Sequence, residues 1–282
     1  MAESTASAAD LEAAIEARFG ERVPVDLPES ARAGIAPVLL HRSVRRFDAR
    51  PVADGLLDVL LACALSAPSK SDLQQADIVH VRDRALQARI AEGLPGSDWI
   101  ATAPVLLVFC GNNRRIRQIG TMRGKPFAND HLDAFMNAAV DAAIVMATFI
   151  RAAEAAGLGC CPLSVLRNKA AAVSALLGLP DWVFPVAGLA VGHPAEPGMI
   201  SPRLGRAVTV HRDRFHETAL AERIDAYDRR RAAVQPAAAQ RYVAQYGAAP
   251  FYGWSEDKAR QYGRPERADF GAFIRSKGFR LE

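Results

Sequence analysis

Leu132-Asp-Ala-Phe-Met-Asn-Ala-Ala-Val-Asp-Ala-Ala-Ile-Val-Met-Ala-Thr-Phe-Ile-Arg-Ala-Ala-Glu-Ala-Ala156 is the longest helical pattern in the chain, with apolar residues on nearly every face. A helix of this kind has to be buried almost all round. One setting that provides this is a membrane. Against it, Asn137 and Asp141 interrupt the apolar run, Arg151 and Glu154 close it, and no further span is visible. The other setting is a subunit interface, the more economical reading because a chain of 282 residues seldom encloses one helix completely. Asp141 is then an interior carboxylate satisfied by hydrogen bonds, with a functional role as the alternative. Gly157-Leu-Gly159 ends the helix with glycine at the usual terminal position.

Working outward, Ile78–Val81 and Val105–Cys110 read as strands, the second apolar on both faces and therefore central, with a helix over 84–92 between them. Leu56–Ala64 is an apolar helix that starts near Asp54 and stops at Ala67-Pro68. Beyond the long helix a short helix is predicted over Asn168–Leu177, a strand over Val183–Val191 and a last short strand over Val208–His211. A charged helix then runs to about Arg231, and the Arg229-Arg-Arg231 run reads most simply as solvated. At the start of the chain, residues 9–20 are helical, after which Pro24, Pro28 and Pro37 are expected to break the chain repeatedly. The division expected is an N-terminal extension over 1–37, a main domain over 38–215 and a helical arm over 216–282.

Half the residues are hydrophobic and basic residues exceed acidic ones by four, so a sizeable core is available and the charge suits small anions better than nucleic acid. The N-terminus lacks a basic start followed by an apolar run, so no secretory leader is read and a cytoplasmic location is expected. Cys63, Cys110, Cys160 and Cys161 form no CxxC pair, and the six histidines form no HExxH or mixed cluster; neither a disulfide framework nor a metal site is expected. Neither G-x-S-x-G nor G-x-x-x-x-G-K occurs. Gly157-Leu-Gly159 lacks the third glycine of a dinucleotide fingerprint.

One cluster does point to chemistry. His41-Arg42-Ser43-Val44-Arg45-Arg46-Phe47 gathers three arginines, a histidine and a serine in seven residues. Guanidinium forks and a hydroxyl match the several oxygens of a phosphate. A solvated basic turn is the competing reading.

Four segments in order resemble the flavin-dependent nitroreductase family: Arg42-Ser-Val-Arg45, Ser66-Ala-Pro-Ser69 through Gln74, Gly157-Leu-Gly-Cys-Cys-Pro162, and Gly192-His-Pro-Ala-Glu196 with Pro202-Arg203-Leu204. They span roughly residues 38–215. The tail from Trp254-Ser-Glu-Asp257 to Lys277-Gly278-Phe279 resembles the larger, NADPH-preferring, oxygen-insensitive branch. The resemblance implies an α+β fold, a mixed sheet flanked by helices, in an intertwined homodimer with one FMN in each of two interface clefts. It implies that His41, Arg42 and Ser43 serve the phosphate and ribityl end, that Arg45 reaches the polar edge of the ring, and that Arg203 also binds phosphate. Pro68, Ser69, Lys70, Ser71, Asp72 and Gln74 would contact FMN from the other subunit. Pro162 would pack on the ring face with Leu163 beside it, and a backbone N–H near Ser164 or Val165 would lie by flavin N5. No residue is assigned a catalytic role, because the chemistry belongs to the cofactor. Three positions depart from the family pattern: Ser201 where a basic residue is usual, Asp72 where asparagine is common, and Ser164-Val165 where small glycine-like residues are common.

The function implied is an NADPH- or NADH-dependent reductase of nitroaromatic compounds, and of quinones, working by ping-pong hydride transfer. It acts on small molecules, as a homodimer, without a nucleic-acid or membrane partner. Alternatives on the same scaffold are flavin, enone and dehalogenating reductases and a flavin-fragmenting enzyme. A flavin-binding protein without turnover, or an anion- or nucleic-acid-binding module using Arg42–Arg46 and Arg229–Arg231, are the readings of a different class. Trp99, Phe127 and Trp254 are aromatic candidates for a substrate wall, each equally explained by packing.

Overall fold

The computed structural model of the chain describes residues 6–94, 96 and 98–282; the first five residues of the expected N-terminal extension lie outside them. In chain order these residues form α1 (Ala8–Phe19), α2 (Glu29–Leu39), α3 (Asp54–Leu65), β1 (Ala76–Val81), α4 (Arg84–Ala91), β2 (Val105–Asn112), α5 (Arg114–Met122), α6 (Leu132–Ala155), β3 (Gly159–Leu163), α7 (Ala170–Leu176), β4 (Val183–Gly192), α8 (Arg206–Thr209), α9 (Leu220–Val234), α10 (Val243–Tyr246), α11 (Trp254–Tyr262) and α12 (Phe270–Ser276). Two compact units result: one from the residues up to Arg42 with Met199–Glu266, the other from Ser43–Gly198 with Arg267–Glu282.

The second unit is built on a sheet of order β1-β2-β4-β3, all neighbours antiparallel. β2 is central and buried along its whole length, as its two-sided apolar pattern requires. Its side chains alternate between two cores. Val105, Leu107 and Phe109 join α3 and α6, whereas Leu106, Val108 and Cys110 join α4, α7 and the turns at Asp98–Thr102 and Ser164–Lys169. Phe109 meets Phe149 of α6 edge-on at 6.1 Å, and burying a side chain of this size contributes about 2–3 kcal/mol. An isolated parallel bridge joins Ser43 to Cys160 beside β3, and the helices with this small antiparallel sheet make the expected α+β architecture. Gly159 admits this bridge, since a Cβ there would come within 2.8 Å of the Val44 side chain.

The single chain buries α6 on one side only. Ala134, Ala138, Asp141, Ala142, Val145, Phe149, Ile150 and Ala153 are buried, while Leu132, Met136, Val140, Ala143 and Ala147 form an exposed stripe. The alternation of three- and four-residue steps keeps that stripe on one side of the helix. At the far end of the unit α12 returns to the sheet, and Phe273, Ile274 and Phe279 close a core with Ala138, Ala170 and Phe184.

In the first unit α1 opens with a reciprocal Ser7–Asp10 capping box and closes on Gly20 at φ 71°. Two expectations fail here. Pro28 does not simply break the chain; it stands at the N-cap of α2, and Pro37 lies inside the last turn of that helix, which continues to Leu39 at the cost of one N–H to carbonyl bond. Val208–His211 is not a strand: Arg206–Thr209 forms α8, with the Arg206 N–H held by Glu21 at 2.8 Å and the Val210 N–H donating to the Arg206 carbonyl at 2.8 Å. β-branched residues favour a strand only when an edge is available to pair with. Asp228 of α9 is buried and accepts from the Ser255 N–H at 2.9 Å and from the Ser255 hydroxyl, which ties α9 to α11.

Candidate functional site

In the second unit the chain from Ser43 to Arg45 is extended beside β3, with the Val44 N–H donating to the Cys160 carbonyl at 2.9 Å. Period-two alternation buries Val44 and leaves Ser43 and Arg45 exposed. β3 is buried at every position except Pro162. The structure therefore brings Ser43, Arg45 and Pro162 to one accessible region. Burial pushes the Cys161 thiol up and the Arg45 charge partly opposes this, which puts the guanidinium within electrostatic reach of β3. Leu163 turns the other way, into the core, and Ser164 and Val165 open the turn Ser164–Lys169. Arg45 has no hydrogen-bond or ion-pair partner among the described residues, whereas Arg46 lies 3.6 Å from Glu196.

Pro68–Gln74 forms a tight loop with three residues in the left-handed region, Ser71 (φ 50°), Asp72 (φ 56°) and Gln74 (φ 51°). Such conformations cost on the order of 1–3 kcal/mol each and persist only when the surroundings over-determine them. Here Asp141 does so from α6. It is buried and accepts the Lys70 N–H at 3.0 Å and the Gln75 N–H at 3.1 Å, clamping both ends of the loop. The Ser69 hydroxyl accepts the Gln74 N–H at 2.9 Å, and the Gln74 amide donates to Asp72 at 3.1 Å. Asp141 is the hydrogen-bonded interior carboxylate that its place in an apolar helix requires.

In the first unit His41, Arg42 and Arg203 are gathered by a residue that sequence reasoning passed over. Arg18, buried on α1, donates to the carbonyls of His41 at 2.7 Å, Leu39 at 3.1 Å and Ser201 at 3.4 Å, and its own carbonyl accepts the Arg203 N–H at 2.6 Å. The available signal was an arginine in line with Leu11 and Ala14 on the apolar face of α1. The Arg229–Arg231 run is not simply solvated either. Arg230 donates to the Arg203 carbonyl at 2.5 Å and the Arg18 carbonyl at 3.2 Å, and Arg231 to the Pro202 carbonyl at 3.2 Å. The Arg42 and Arg203 side chains have no partner among the described residues, so both guanidinium groups are available to an anion.

Of the aromatic candidates, Trp99 packs on Phe47 at 6.4 Å and Trp254 on Tyr227 at 5.2 Å. Phe127 stacks under Arg117 at 4.2 Å, and the same guanidinium lies 4.8 Å from the ring of Trp182. Trp182 itself sits at φ 60°, unusual for a bulky residue. Bonds from its N–H to Lys277 (2.7 Å), from its indole N–H to Gly278 (3.0 Å) and from the Asn113 N–H to its carbonyl (2.9 Å) hold it there.

The sequence profile of the Nitroreductase family matches residues 39–94 and 93–193, and that of the family's C-terminal domain matches residues 201–282. The chain is 36% identical over 191 residues to an FMN reductase [NAD(P)H] of Bacillus subtilis, covering 67% of this chain and 77% of that one. To an oxygen-insensitive NADPH nitroreductase of Salmonella typhimurium it is 33% identical over 175 residues, 62% of this chain and 71% of the relative. The structure of the NADPH:FMN oxidoreductase of Vibrio harveyi, complexed with NAD+, superimposes with a TM-score of 0.75 at 30% identity, covering 87% of this chain and 98% of that one. With its α+β fold and both profiles matched, the chain belongs to the nitroreductase family.

Proposed function

We propose that the protein is an NAD(P)H-dependent FMN oxidoreductase that reduces nitroaromatic compounds and quinones as a homodimer. The observation that carries this reading is the exposed Pro162 on an otherwise buried strand, flanked by Ser43 and by Arg45, which has no partner among the described residues. A flat apolar surface beside a fixed positive charge suits one face and the polar edge of a flavin ring, so the residues present fit the cofactor. FMN bound there would supply the hydride chemistry, with NADPH or NADH as donor and a small-molecule acceptor.

The protein's own residues bind and orient. Arg45 would meet negative charge at the polar edge of the flavin. Pro162 and the backbone at Ser164 and Val165 fix the ring face. Ser43 serves the ribityl chain, and His41, Arg42 and Arg203 the phosphate, with Arg18 and Arg230 adding positive charge on the Arg203 segment where Ser201 replaces a basic residue. The loop from Pro68 to Gln74 contacts the FMN of the other subunit, and the exposed stripe of α6 is covered by that subunit.

The test is an absorption spectrum of the purified protein followed by NADPH and NADH oxidation with nitroaromatic and quinone acceptors. Wild-type protein is expected to carry flavin and turn over. Arg45→Ala is expected to retain partial flavin and to lose about tenfold or more in kcat/KM, the scale of one lost electrostatic contact to the reacting centre. Colourless protein, or yellow protein inert to every acceptor, overturns the reading.

A further inference from the structure

The second unit holds a cavity of about 530 Å3 that the flavin reading does not use, except that Lys70 and Leu73 of the Pro68–Gln74 loop lie in its wall. Its size is that of a small-molecule site, and Leu73, Ile116, Phe127 and Ala134 give it mainly apolar walls. The polar groups around it define what it takes. Gln75 lines it with only 2% of its surface exposed; its Oε1 accepts from the Asn113 amide at 2.8 Å, but its Nε2 has no partner among the described residues. That nitrogen is closed off from the cavity, so Gln75 shapes the wall without meeting a ligand. Around the same cavity stand Lys70, Arg123 and Lys125, none of whose side chains has a hydrogen-bond or ion-pair partner among the described residues. The carboxylate in the wall, Asp133, already accepts from the Asn137 amide at 2.7 Å.

The wall is also fixed in advance. Arg117 stacks on Phe127, bonds Asp130 at 2.5 Å and donates to Asn113 at 2.8 Å, and Asn113 is the residue that orients the Gln75 amide. Ring wall and orphaned donor are thereby parts of one hydrogen-bonded chain. We propose that this cavity binds an aromatic carboxylate, its fused or single ring against Phe127 and Ile116 and its charge met by Arg123 and Lys125. A neutral arene gains the apolar walls alone, and a purely inorganic anion gains only the rim.

The probe is 2-naphthoate, titrated calorimetrically into the full-length purified protein at low ionic strength, with the neutral 2-naphthalenemethanol as control. Naphthoate is expected to bind saturably, one per chain, about tenfold or more tighter than the alcohol. The double variant Arg123→Gln/Lys125→Gln is expected to remove most of that preference while leaving the alcohol unchanged. Equal binding of acid and alcohol, an unaffected double variant, or no saturable binding overturns the proposal. Flavin absorbance in the same samples separates the two readings: flavin present without a naphthoate site refutes the cavity alone, and a naphthoate site without flavin refutes the flavin reading alone.

Discussion

Arg18 shows how much a single side chain can organise. Its guanidinium fork satisfies carbonyls from three segments that are far apart in sequence, Leu39, His41 and Ser201. Lysine carries the same charge but cannot bond several carbonyls in a plane. Arg18→Lys is therefore expected to cost about 2–3 kcal/mol, the worth of charged hydrogen bonds lost from a buried group, read as a lower urea midpoint with unchanged slope. Flavin affinity should fall with it even though Arg18 is not assigned to the phosphate. An unchanged midpoint would mean the three carbonyls are satisfied without it. The thiols illustrate the opposite case, side chains that burial makes inert. Burial, with the Asp77 charge adding to it, pushes Cys110 up to about 12, and burial also raises Cys160, so neither offers a thiolate near neutral pH.

Among the elements, α6 carries the sharpest contrast between its two sides. One holds Asp141 and the loop it clamps; the other is the stripe from Leu132 to Ala147, apolar and open to solvent in the single chain. Val140→Asp is expected to leave the fold of each chain intact and to shift the protein from dimer to monomer, with loss of flavin, in light scattering at micromolar concentration. A dimer that survives this change places the interface elsewhere. The periodic elements were legible from the amino acids alone: α3, α6, β2 and β4 declare themselves by apolar patterns of period 3.6 or by continuous apolar runs. α2 was not, because prolines at 28 and 37 read as breaks when one caps the helix and the other sits in its final turn. Nor was α8, whose Val-Thr-Val run lacks a strand to pair with. At the site, Ser43, Arg45 and Pro162 were recognisable only through ordered motifs. Gln75 and Arg18 were not, since an orphaned amide and a buried fork exist only once distant segments meet.

For the whole molecule, acid is the informative variable. Arg117, bonded to Asp130, and Arg280 nearby hold that carboxyl below the usual carboxylate range. A depressed folded value means stability that is present above the unfolded value near 4 and lost as pH falls through the folded one. Unfolding midpoints are expected to be level above about pH 5 and to decline below about pH 4. Asp130→Asn should flatten part of that decline and cost about 1 kcal/mol or less at neutral pH, because the pair is partly exposed. Superimposable acid limbs for the two proteins would remove Asp130 from the account.

The Trp182 bonds to Lys277 and Gly278 bear on the order in which the chain is made. The ribosome releases Phe127, Arg117 and Trp182 long before the last fifteen residues, yet Trp182 keeps its strained backbone through carbonyls that those residues supply. A nascent chain that has reached Glu266 already holds all four strands and α6, but the stack of Trp182, Arg117 and Phe127 still lacks its backing. That part of the molecule gains its backing only when α12 has been made and docks.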